Sequence, residues 1–95
     1  MEELSMYMLN DNILVTELTD DLMLNGVVTI YDSDNPYMFG EVKDVANEID
    51  NIEVGDIVVI KRYAKEEFLP GYYFISNKDI RCKMPKEEYE KLLVN

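Results

Sequence analysis

An all-β domain, a small antiparallel barrel or sandwich with one short C-terminal helix, is the fold class that this 95-residue sequence predicts. Three observations lead there. Val54-Gly55-Asp56-Ile57-Val58-Val59-Ile60 is a Gly-Asp turn feeding four β-branched aliphatics, too short for a helix and without a polar break, so it reads as a strand buried on both faces. Segments that could pair with it recur at residues 12–16, 40–46, 72–75 and 80–84, with turn residues between them. Only residues 85–93 have the grammar of a helix: Pro85 starts it, Glu87 and Glu88 lie in the first turn, and Tyr89, Leu92 and Leu93 form an apolar stripe.

Taken in order, residues 1–9 carry Leu4, Met6, Tyr7, Met8 and Leu9 in mixed periodicity and read as extended. Asp11-Asn12 is a turn signal before the strand Ile13-Leu14-Val15-Thr16. The stretch 17–39 that follows is long for so small a domain, and such loops are normally functional or disordered. Within it, Leu22-Met23-Leu24 and Val27-Val28-Thr29-Ile30 flank Asn25-Gly26, a strong two-residue hairpin signal. Residues 40–46 read as a second strand and 47–53 as an acidic connection. Lys61-Arg62-Tyr63-Ala64-Lys65 reads as a solvated basic loop, Leu69-Pro70-Gly71 and Ser76-Asn77-Lys78-Asp79 as turns. Residues 80–84 alternate, and Cys82 there reads as a small buried apolar residue.

Charge and composition remove several functions. Twenty acidic and nine basic residues give a net charge of −11, so a phosphate backbone or an anionic membrane is repelled. A nucleic-acid mimic needs a regular rod of carboxylates, and here they are scattered. Without histidine there is no ordinary triad or imidazole base, and no Gly-rich phosphate loop is present. The expectation is a protein that is not an enzyme and carries no cofactor. One cysteine, Cys82, permits neither an intrachain disulfide nor a zinc cluster. Asp32, Ser33, Asp34 and Asn35 open like a calcium loop but lack its glycine and distal glutamate, so a plain solvated loop is the better reading. No apolar run approaches membrane-spanning length, and Glu2 and Glu3 stand where a secretion signal carries basic residues; a cytoplasmic location is expected. One domain of this size has a thin stability margin, which self-association would widen.

The order of segments resembles the ten-kilodalton co-chaperonin (GroES) family over roughly residues 9–84. Asp11-Asn12-Ile13-Leu14-Val15 stands at the family's first core strand, Gly40-Glu41-Val42 and Val45 at the strand after its mobile loop, and Val54-Gly55-Asp56-Ile57-Val58 at its Gly-Asp strand. Tyr63-Ala64, Gly71-Tyr72 and Ile75-Ser76-Asn77-Lys78-Asp79-Ile80 complete the collinear landmarks.

The resemblance implies a small β-barrel occupying the single domain 1–95, with a mobile loop at about 17–36 and a C-terminal extension at 85–95. It implies a lid, a heptamer that caps a large chaperonin ring and assists ATP-dependent folding. In the family a glycine and an aliphatic triplet of the mobile loop dock on the ring; Gly26, Val27, Val28, Thr29 and Ile30 fall in that place, and Leu22, Met23 and Leu24 form the rival edge on the other arm. Tyr7, Met8 and Leu9 would pair with Ile80, Cys82 and Met84 of a neighbouring subunit. Thr29 stands where the family has a third aliphatic residue, Ala46 and Lys65 where it has glycines, and residues 47–53 are too few for its roof hairpin. A reduced roof looks more like a phage-encoded co-chaperonin than a housekeeping one. The alternative is a monomeric acidic β-barrel binding or virion module that has kept the fold without chaperonin binding.

Overall fold

The computed structural model describes residues 7–94, and its main sheet is built outward from the apolar run Ile13-Leu14-Val15. That run lies in β1 (Asn12–Leu18), followed by β2 (Leu22–Leu24), β3 (Val27–Thr29), β4 (Tyr37–Val45), β5 (Ile57–Lys61), β6 (Glu66–Leu69), β7 (Tyr72–Ser76), β8 (Ile80–Met84) and α1 (Lys86–Glu90). Six strands form one antiparallel sheet in the order β6-β7-β1-β4-β5-β8, and β2 and β3 form a separate two-stranded sheet.

Period-two alternation explains why unbroken apolar runs are needed here. Ile13 and Val15 face the largest core cluster with Met38, Val42, Val58, Ile60 and Ile75, whereas Leu14 between them faces a second cluster with Met8 and Ala46. In β5, Val58 and Ile60 point into the main core and Ile57 points the other way, into a third cluster with Leu22 and Tyr89. The Gly-Asp strand is thus covered on both faces, as expected. Each fully buried side chain of this kind contributes about 1.5–3 kcal/mol. Gly55 turns the chain into β5 with φ +96°, a conformation most other residues resist.

The structure corrects several expectations. Among the described residues the sheet does not close into a barrel: β6 and β8 are its outer strands, and no ladder joins them. The basic loop holds a 3-10 turn at Arg62–Ala64, and Glu66–Leu69, of which only Leu69 is expected in a turn, is an edge strand whose residues are all exposed. The second strand begins earlier than expected, at Tyr37, and the helix is shorter, with Pro85 as its N-cap. Cys82 is exposed rather than buried, because β8 lies at the sheet edge and only Ile80 and Met84 turn inward from it. Of the stretch 1–9, residues 1–6 lie outside the described residues, and Tyr7, Met8 and Leu9 belong to no strand.

Candidate docking hairpin

Asn25 and Gly26 adopt φ values of +51° and +79°, the left-handed pair that a tight two-residue hairpin turn demands. The turn sets the register Leu22↔Thr29, Met23↔Val28 and Leu24↔Val27. Cross-strand partners share a face. Leu22 is buried against Ile57 and Tyr89, with Leu24 packed on the same cluster. Met23 and Val28 face the opposite way, and both are exposed, at 42% and 49%. Val27 at the tip and Ile30 beyond the strand are more exposed still, at 64% and 70%. Of the two edges predicted as rivals, only Met23 from one arm and Val28 from the other, directly opposite each other, share the outward face, while Leu22 and Leu24 turn to the core.

The C-terminal extension holds the upstream arm. Met23 donates its backbone N–H to the Leu92 carbonyl at 2.7 Å, Leu22 and Leu93 form an antiparallel bridge, and Val94 N–H reaches the Asp21 carbonyl at 3.4 Å. The outer edge of β2 is thereby occupied. Among the described residues, the outer edge of β3 has no strand beside it. Tyr89 stacks edge-to-face on Phe39 at 5.4 Å and donates its hydroxyl to Asp20 Oδ2 at 2.9 Å. Burial and then that hydrogen bond to Asp20 push the Tyr89 hydroxyl well above its ordinary value.

Glu17 holds the other side of the hairpin base. Its carboxylate accepts from Tyr31 Oη at 2.6 Å, from Lys65 Nζ at 3.1 Å, and from Arg62 Nη1 in a close ion pair. Arg62 also donates to the Asn35 carbonyl at 2.8 Å, and its backbone N–H donates to the Pro36 carbonyl at 2.8 Å. Burial acts to raise the Glu17 pKa, but the three hydrogen bonds from Tyr31, Arg62 and Lys65 outweigh it and hold the carboxyl below its ordinary value. Of the basic cluster at 61–65, Arg62 and Lys65 are therefore consumed internally, clamping the chain's return from the hairpin. Leu18, Leu22, Ile30, Tyr31, Phe39 and Arg62 line a small cleft of about 120 Å³ between this clamp and the sheet.

The remaining predicted residues fall elsewhere. Asp32 Oδ1 accepts the Asp34 N–H at 2.8 Å, and Asn35 Oδ1 accepts the Tyr37 N–H at 2.9 Å, so this polar run shapes the chain's return toward β4. Among the described residues no three histidine, cysteine, aspartate or glutamate side chains gather as a metal site would require. Of the six expected interface residues, Met8 is buried in its own core and Ile80 and Met84 pack on theirs, leaving Tyr7, Leu9 and Cys82 exposed. Among the described residues no helix is long and apolar enough to cross a membrane. No protein-family model matches the chain, and no curated protein matches it closely enough to count as a relative.

Proposed function

We propose that this protein is a co-chaperonin-like lid whose hairpin docks on the apical surface of a chaperonin ring. The observation that carries this reading is an apolar hairpin tip held out in water from a well-anchored base. Val27, Val28 and Ile30 are exposed while Leu22 beside them is buried. Collinear landmarks of the co-chaperonin family support the same reading, as does the place of the hairpin in that order. The downstream arm, Gly26 to Ile30, is the favoured edge, because the C-terminal segment Leu92–Val94 already lies along the upstream one.

One docked tip binds weakly. Burying three aliphatic side chains contributes roughly 1.5–3 kcal/mol each, and ordering the tip costs about 1–2 kcal/mol per residue in backbone entropy. A ring of such subunits makes the later contacts intramolecular, so affinity comes from multiplicity. A lid held this way is released when the chaperonin's nucleotide cycle moves its binding sites.

Val28→Asp tests the contact. It places a charge in an apolar groove, at a cost of roughly 3 kcal/mol or more per hairpin, while leaving the core clusters intact. The variant keeps wild-type thermal stability and loses chaperonin binding. Full binding by Val28→Asp would overturn the assignment of the hairpin as the contact.

A further inference from the structure

We infer that Asp20 and Asp21, together with the C-terminal segment Leu92–Val94, form a clasp that holds the hairpin in its docking shape before any partner arrives. The consequence for binding rests on the docking role proposed above; the clasp itself does not. Three-residue arms such as β2 and β3 do not keep a hairpin together unaided, because an isolated two-stranded ribbon is marginal at best in water. The fastenings converge on the dipeptide that leads into β2. Asp21 Oδ1 accepts the Tyr31 N–H at 2.7 Å, which ties the chain entering the hairpin to the chain leaving it. The Asp21 carbonyl accepts the Val94 N–H at 3.4 Å, and Asp20 Oδ2 accepts the Tyr89 hydroxyl at 2.9 Å. With the Leu22–Leu93 bridge and the Met23 N–H on the Leu92 carbonyl, the tail runs beside β2 as a short third strand.

None of these contacts covers the surface assigned to docking. The tail takes the outer edge of β2, and Leu22 and Leu24 turn inward onto the cluster that holds Tyr89, Leu92 and Leu93. Met23 and Val28 on the outward face, Val27 at the tip and Ile30 beyond it stay exposed. A strap that blocked docking would cover those residues instead. Tyr31 is fastened twice, its N–H to Asp21 and its hydroxyl to Glu17, so the exit of the hairpin is held as firmly as its entry. Asp20 and Asp21 are thus positioning residues, acting on the partner only through the shape they impose. A hairpin ordered in advance gives up less conformational freedom on docking than a loop that must first fold. Apparent affinity then scales with the fraction of molecules whose hairpin is already formed.

The triple variant Asp21→Ala/Tyr89→Phe/Val94→Pro removes the three fastenings and leaves the outward face and the ring of residue 89 in place. Hydrogen exchange of the free protein reads the clasp without any chaperonin. Wild type protects the amides of Leu24, Val27 and Thr29, the triple variant exchanges there about tenfold faster or more, and β1, β4 and β5 stay protected in both. Asp21→Asn, whose amide oxygen still accepts the Tyr31 N–H, retains the protection. Binding of the same proteins to a chaperonin ring with ATP reads the consequence: the triple variant binds about tenfold more weakly or worse, in step with its lost protection, and the conservative Asp21→Asn does not. A wild-type hairpin that exchanges as fast as an unstructured peptide, or a triple variant that stays fully protected, would overturn the clasp. A triple variant that loses protection yet binds as well as wild type would overturn the positioning role, and one that binds more tightly would overturn it in favour of a tail that blocks docking. A protected wild-type hairpin with no chaperonin binding would overturn the lid reading, with the clasp upheld by exchange alone.

Discussion

Glu17 shows how a single carboxylate can decide where a long excursion of the chain ends. It gathers Tyr31, Arg62 and Lys65, partners 14, 45 and 48 residues away, and through Arg62 it fixes the Asn35-Pro36 return into β4. Glu17→Gln keeps the shape and removes the charge, so it should cost about 1–2 kcal/mol at neutral pH, measured by chemical denaturation. The pH dependence has a defined sign. The folded carboxyl titrates below its ordinary value of 4.5, so between those two points the unfolded chain binds more protons. The contribution is complete above about pH 4.5 and is lost as pH falls through the folded value, where wild type and Glu17→Gln converge. Tyr89 behaves in the opposite sense. Its raised pKa makes its contribution complete below its ordinary value of 10 and lost as pH rises beyond that, so Tyr89→Phe should flatten the alkaline loss of stability that wild type shows.

The hairpin is an element whose local chemistry was legible and whose surroundings were not. Asn25-Gly26 between two apolar triplets announces the turn, and the register follows from it. Nothing in that stretch announces that Leu92–Val94 returns to lie along Leu22 and Met23, because the contact joins residues some seventy positions apart through backbone groups that every residue carries. The same contrast holds elsewhere. β5 is legible because both its faces are covered, so Ile57-Val58-Val59-Ile60 is an unbroken apolar run. β6 is not legible, because an edge strand exposed throughout carries no apolar alternation, and Glu66-Glu67-Phe68-Leu69 shows none. Ile52, buried in the main core, was hidden inside what reads as an acidic connection. Truncation after Lys91 isolates the role of the tail. Hydrogen exchange should quicken at the Met23 amide, which loses its Leu92 acceptor, while β1, β4 and β5 stay protected. Met23 lies directly opposite Val28 on the outward face, so Met23→Asp should also weaken docking, but less than Val28→Asp because the downstream arm is the favoured edge. Retention of chaperonin binding by Met23→Asp with loss by Val28→Asp would confine the contact to the downstream arm.

For the whole molecule, the open sheet, the apolar hairpin and the net charge of −11 belong to one account. In the proposed lid, a ring of subunits would present several hairpins together and convert a near break-even contact into useful avidity. Its accumulated negative charge would repel acidic clients from the inner surface, and that repulsion should weaken with added salt. Nucleotide-dependent co-sedimentation with a chaperonin ring tests the central claim most directly. The account predicts that wild-type protein travels with the ring when ATP or its product is bound and separates from it when nucleotide is withdrawn. Sedimentation as a free species under both conditions, with a chaperonin from the same host, would contradict it.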